Sequence, residues 1–327
     1  MDDCILASPP NSLLRGEVSA ALEREYSITT DHNPTNFVGL AISRDRPNRK
    51  ITLSQPHYVD TILARFSVPS YTPLAPMQED FLTSMPDFDS KSLLLPKLQT
   101  LFQEKVGSVL YLASQSRPDI LYPVTQLSRR SNKATSRDMK AADRLLAYIA
   151  TTRSLGLTLG SKSGDFTLHA YVDASYNCYP DSKSHTGVSL HLGADSGSFF
   201  ALSKKQSIIS DSSTVAEYIA THTCIQKLLW AKNVLTELGV PTSIQMDVPP
   251  SVVLHQDNTS AINLLKHSGN TGRTKHIDLR YNMIRETIVR HNIQVVYTPT
   301  KDMTADILTK PLGPNLFSHH QRVLLNL

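Results

Sequence analysis

The chain has 327 residues, 40% of them hydrophobic and 19% charged, with a formal net charge of +4. That is enough for about two domains with real cores, and the mild positive charge permits a polyanionic partner without demanding one. No run approaches the ~18 apolar residues of a membrane span, the start MDDCILASPP lacks a basic segment ahead of an apolar one, and Cys4, Cys178 and Cys224 are too scattered for a disulfide framework or a zinc site, so a soluble, intracellular protein is expected.

In chain order, two adjacent acids, Asp2 and Asp3, open the sequence and run at once into apolar residues. Leu13, Leu14, Val18, Ala21 and Leu22 recur at helical spacing, which predicts a helix over 11–26 with Asn11 or Ser12 as its cap. FVGLAISRD and ITLS read as strands around the turn RPNRK, and Tyr58, Ile62, Leu63 and Phe66 form one face of a following helix. Residues 67–95, rich in Pro, Ser and Asp without periodicity, are expected to be an extended connector. Three helical patterns follow over 98–115, 118–131 and 136–152, with Pro118 at a helix start, and Gly156 and Gly160 mark a domain boundary.

The second half alternates strands and helices. Segments 166–174, 186–192 and 198–202 predict an antiparallel meander, and a long helix follows over 213–238, ended by Gly239 and Pro241. SVVLHQD predicts a fourth strand, followed by helices over 259–266 and 276–290, the strand IQVVYTP, and a short closing helix near Lys301. In HAYVDASY, Asp173 interrupts a half-buried strand pattern in which Ala170, Val172 and Ala174 alternate with Tyr171 and Ser175. Charge in such a strand costs stability unless it is compensated, and a metal ion would compensate it.

Three further acids stand where this order of elements would converge them: Glu217 near the start of the long helix, Asp257 at the end of the fourth strand, and Asp306 in KDMTADILTK. Taken singly, each has an ordinary role as a solvated acid, and Asp257 in HQDNTSA could cap the next helix. Asp302 lies four residues before Asp306 and would share its helix face; it suits an N-cap or first-turn position, whereas Asp306 sits in ADILTKPL beside the small Ala305. Converging carboxylates repel one another unless a hard divalent cation binds among them.

In the order YVDASY, STVAEYIA, LHQDNTSAINL, RTKHIDLRYNMIRE and ADILTKPL, the chain resembles the ribonuclease H domain of copia-type LTR retrotransposon polyproteins, over roughly 166–312. MDDCILAS resembles the tail of the Tyr-x-Asp-Asp motif of reverse transcriptases, and FVGLAISRD, VGSVLYLASQSRPDILYPVTQLSR and AADRLLAYIATT resemble the segment after it. The resemblance implies an α/β ribonuclease H-like fold, a mixed five-stranded sheet with helices, over 165–315. An α+β palm and thumb remnant of reverse transcriptase would occupy 1–160, and 316–327 would be a tail. It implies Mg2+ as cofactor, two ions with Mn2+ a possible substitute: Asp173 bridging both, Glu217 and Asp257 completing one site, Asp306 in the other. The substrate would be an RNA–DNA hybrid.

Lys204, Lys205, Arg273, Lys275, His276 and Arg280 would grip phosphates without reading sequence. Asp2 and Asp3 would be polymerase ligands, but the family's other catalytic aspartate and the fingers lie upstream of residue 1, so polymerase activity is expected to be absent and the upstream part to be a possible partner. Residues before Phe166 are expected to serve hybrid affinity more than turnover. The family's setting is a virus-like particle in the cytoplasm, or the nucleus. Related nucleases carry a mobile histidine before the final acid, and TPTKDMT has none. A decayed remnant that only binds nucleic acid, and a DNA-cutting integrase-like relative, which would not use Glu217, are the other readings.

Overall fold

A computed structural model of the chain describes residues 4–6, 8, 12–81, 93–240, 252–266 and 278–327. The first helix, α1 (Leu13–Glu25), forms where its spacing predicts, yet none of its residues is buried and Leu13 is 85% exposed. Its apolar stripe has no described core to face. The expected first strand is broken in two, β1 (Asn36–Phe37) and β2 (Leu40–Asp45), because Val38 and Gly39 both take positive φ. With β3 (Lys50–Ser54) and β4 (Leu157–Leu159) they make an antiparallel sheet in the order β1-β2-β3-β4.

Helix α2 (Pro56–Arg65) buries Val59 and Ile62, and Phe66 follows them into the core. The described part of the segment expected to be an extended connector instead packs: Ala75, Met77 and Phe81 insert into the same core. They sit among prolines in irregular backbone, so no helix or strand pattern announced them. Helix α3 (Pro96–Gln115), a 3-10 turn at Pro118–Ile120 leading into α4 (Leu121–Ser128), and α5 (Ser136–Thr151) complete this half. Thr135 and Asp138 cap α5 reciprocally, satisfying two otherwise orphaned backbone donors.

The second half is built on β5 (Leu168–Ser175), β6 (Lys183–Leu192), β7 (Ser198–Ile209), β8 (Val252–Gln256) and β9 (Ile293–Tyr297). Their order is β7-β6-β5-β8-β9, with β5, β6 and β7 antiparallel and β8 and β9 parallel to β5. This is the mixed five-stranded sheet implied by the resemblance. Leu168, Ala170 and Val172 pack with Val188, Leu190, Val252 and Leu254 against α6 (Ser213–Glu237), whose first turn is capped by the Ser212 hydroxyl accepting from Val215 N–H. Helices α7 (Thr259–Lys266) and α8 (Asp278–Arg290) flank the parallel strands. Strand β7 runs seven residues past its predicted end, so Lys204 and Lys205 lie within the sheet.

The predicted closing helix is replaced by two 3-10 turns, Thr300–Asp302 and Thr304–Leu308, separated by Met303 at ψ 89°. Asp302 and Asp306 therefore do not share a helix face. From the second turn onward the chain packs on the first half: Ile307 and Leu308 of that turn and Leu312, with Phe317 and Leu324 of α9 (Pro314–Leu325), complete the core around Phe102, Leu145 and Ile149. Each such side chain contributes roughly 1.5–3 kcal/mol when fully buried. Residues 316–327, expected to be a tail, are thus mostly packed helix.

A buried polar knot secures that helix. Arg117 forks onto Asp119 at 2.8 and 2.9 Å, and Gln321 donates to Asp119 (2.7 Å) and to the Tyr148 hydroxyl. No described helix is long and apolar enough to cross a membrane.

Candidate active site

Asp173 projects from β5 opposite Gly187 of β6, Asp257 follows the last residue of β8, and Asp306 lies on the second 3-10 turn. One carboxylate oxygen from each of these three lies within 4.8 Å of the others. Asp173 is 3% exposed and Asp306 fully buried. Glu217, near the start of α6, is buried beside them and accepts from Gln256 Nε2 at 3.2 Å. It is not one of the three mutually close acids, but Asp173 and Asp257 both act on its charge.

The electrostatics follow from crowding like charges in a low dielectric. Burial, then Asp173, raises the Asp306 carboxyl to about 8, against the pull of Lys310. Burial followed by Asp173 and Asp257 holds Glu217 well above its ordinary value, and burial with Asp173 raises Asp257. Neither oxygen of Asp306 receives an aligned hydrogen bond among the described residues. A buried carboxylate that no aligned donor satisfies, beside two more acids, is the hard all-oxygen set that a small divalent cation takes, so the residues fit such an ion.

Local sequence explains how these acids meet. A Cβ at Gly187 would lie 2.6 Å from Thr309 Cγ2 and 2.8 Å from the Ala305 carbonyl, so only glycine lets the Asp306 turn rest on β6. Thr309 then donates its hydroxyl to Asp173 Oδ2, and Thr300 donates to Asp257 Oδ2 at 2.9 Å. Asn258, not Asp257, caps α7, its Oδ1 accepting from Ala261 N–H at 2.9 Å. Asp302 points elsewhere, half exposed and 3.9 Å from His319 Nε2.

Sequence reasoning missed Lys310, Thr309, Thr300, Gln256 and Gly187. Lys310 had a signal, its i+4 spacing from Asp306 inside ADILTKPL, but the contact depends on a 3-10 geometry that spacing does not reveal.

Lys204 is exposed, whereas Lys205 is held by Asp181 at 2.5 Å over the Tyr179 ring. Arg280 lies on α8, while Arg273, Lys275 and His276, and the pair Asp2 and Asp3, fall outside the described residues. Two positions from Gly187, His185 lies on the sheet face that carries Asp173, but burial and Arg129 depress it to about 3. Its nitrogens are taken by Tyr179 (2.6 Å) and Ser203 (2.8 Å), so it is no proton carrier.

No family model matches the chain. It is 33% identical, over 98% of its length, to the retrovirus-related Pol polyprotein from transposon RE1 of Arabidopsis thaliana, and 31% identical over 97% to that from transposon TNT 1-94 of Nicotiana tabacum. It is also 30% identical to a transposon Ty5-1 protein of Saccharomyces cerevisiae, over 69% of this chain and 71% of that protein. The chain belongs to the copia-type retrotransposon Pol polyproteins. It spans 21% and 23% of the length of the two plant polyproteins. Among solved structures, the copia-type chain is similar over 44% of its length to a compost-derived ribonuclease H1 (16% identity, TM-score 0.34, 93% of that chain). It is similar over the same share to ribonuclease H1 of Halobacterium salinarum (17%, TM-score 0.32, 94% of that chain).

Proposed function

We propose that this chain hydrolyses the RNA strand of RNA–DNA hybrids within a retrotransposon reverse-transcription machinery, with two Mg2+ ions as cofactor and Mn2+ as a substitute. The observation that carries the reading is the convergence of Asp173, Asp257 and Asp306 within 4.8 Å at the crossing of β5, β8 and the Asp306 turn, in a chain of this family. Asp173, Glu217, Asp257 and Asp306 would hold the ions, which when bound supply an activated water and charge stabilisation for the leaving oxygen.

The chain's own contribution is preorganisation. Asp173 is held because it pairs with Gly187 of β6 and Thr309 fixes one of its oxygens. Gln256 orients Glu217, and Thr300 orients Asp257, so the acids need no rearrangement to bind a cation. Lys204 and Arg280 would hold phosphates along the strand, and the upstream part of the polyprotein would be a partner. Hybrid geometry would be read by groove shape and the 2′-hydroxyls of the cut strand.

The test is cleavage of a labelled hybrid by the full chain with and without Mg2+. Magnesium-dependent cutting is expected, abolished in Asp173→Asn with circular dichroism unchanged. Undiminished cutting by that variant removes the reading, and a well-folded wild type that binds hybrid without cutting makes it a binding remnant.

A further inference from the structure

One cation already reaches into the acid cluster. Lys310 Nζ lies 2.9 Å from Asp306 Oδ2 and 4.0 Å from Asp173 Oδ2, and it is the only ammonium paired with either acid among the described residues. The Asp173 oxygen it approaches is the one that receives the Thr309 hydroxyl. The ammonium is a point charge on a flexible stem, and on Asp306 it replaces the aligned donors that both oxygens lack.

The backbone here is pinned while the side chain is not. Lys310 N–H donates to the Asp306 carbonyl at 3.2 Å, and Leu312 two residues on is buried in the first core. The Lys310 side chain is 37% exposed, so its stem can swing to solvent without moving the Asp306 turn. The ammonium lies against Oδ2 of both acids, so a divalent cation taken by Asp173 and Asp306 would sit close beside it, and like charges at that range repel strongly.

We infer that Lys310 is a displaceable resident cation: it neutralises the Asp173–Asp306 edge of the site until a divalent ion enters, and is then expelled toward solvent, where its ammonium can take a phosphate oxygen of a bound strand. The inference rests on the metal-dependent reading above. It makes Lys310 a positioning residue that links metal loading to the arrival of a polyanion. A lysine that served only to hold the turn in place would keep Asp306 in both states.

The experiment uses the full chain without nucleic acid, so turnover plays no part. Mn2+ is titrated calorimetrically into wild type, Lys310→Gln, Lys310→Arg and Lys301→Gln, the last removing an exposed charge on the neighbouring turn. Lys310→Gln should bind Mn2+ roughly tenfold or more tightly than wild type, with Lys310→Arg within about threefold and Lys301→Gln within about twofold. Affinity of Lys310→Gln equal to or below wild type, or the same gain in Lys301→Gln, overturns the inference.

Should Lys310→Gln not fold, the wild type carries the test: acetylation of Lys310 by a succinimidyl ester, read by peptide mass spectrometry, should quicken several-fold relative to Lys301 on adding Mg2+. An unchanged or slower rate overturns it. Wild type that binds Mn2+ with these signatures but cuts no hybrid removes the ribonuclease reading alone, whereas no Mn2+ binding by wild type or Lys310→Gln removes both.

Discussion

Asp306→Asn should make the metal-free protein more stable, by an amount that grows with pH. Burial and Asp173 raise this carboxyl from 3.8 to about 8 in the folded state. Below pH ~4 the group is protonated whether the chain is folded or not, and the variant gains little. Between pH ~4 and ~8 the unfolded chain releases the proton that the folded chain retains, so the unfolded state binds fewer protons and wild-type stability falls as pH rises. At about 1.4 kcal/mol per pH unit this interval is worth at most ~6 kcal/mol. The titration is shared with Asp173 and Lys310, and ~2–3 kcal/mol is the expected gain at pH 8. In a chain of this size that is a rise of roughly 5 °C in Tm.

The assay is thermal melting in a chelator at pH 5, 6, 7 and 8, repeated with Mg2+. The ion should raise the wild-type Tm most at pH 8 and the variant little, because the ion relieves the repulsion that Asn removes. A variant that melts at or below wild type at pH 8 without metal, or an advantage that shrinks as pH rises, refutes the reasoning.

Gly187→Ala should cost about 1–3 kcal/mol, since its Cβ meets Thr309 and Ala305 at 2.6 and 2.8 Å, and should weaken Mn2+ binding by shifting the Asp306 turn; calorimetry and urea melts read both. Arg117→Met leaves Asp119 buried without its counterion and should lose about 3–5 kcal/mol in urea unfolding, with less than ~1 kcal/mol counting against the knot. Leu324→Ala should cost about 2–5 kcal/mol and, through the α9 core on which the Asp306 turn rests, loosen the site; unchanged Mn2+ affinity would separate the two. A fragment starting at Ser161 should lose hydrogen-exchange protection over 304–310, because that segment packs on the first core; full protection in the fragment would show that the second half orders Asp306 alone.

What the sequence disclosed was what repeats or stands in motifs. Period-2 alternation in the strand carrying Asp173 and the Gly239 and Pro241 stop after α6 are local signals, and the four acids stand inside motifs whose order carries the topology. Ala75, Met77 and Phe81 were unreadable because they pack from irregular, proline-containing backbone, which has no helix or strand period to betray burial. The split of the closing segment into two 3-10 turns hangs on one ψ angle at Met303, and it decides that Asp306 turns inward while Asp302 does not. Thr309 and Lys310 stand in the ADILTKPL motif, yet their work depends on Gly187 more than a hundred positions away. Helix α1 is the reverse case: a clear period with no described surface to bury it.

The meeting of Gln321 with Asp119 joins residues 202 positions apart. A ribosome adding roughly 5–20 residues per second needs about 10–40 s to make that stretch, whereas single helices and hairpins form within microseconds. During that interval the groove around Phe102, Leu145 and Ile149 has its walls but not its lid, since Ile307, Leu312, Phe317 and Leu324 have yet to be synthesised. The nascent chain therefore waits half-closed, with apolar surface that chaperones can recognise. Once α9 has emerged, it seals the first half and, in the same motion, anchors the turn that brings Asp306 to Asp173.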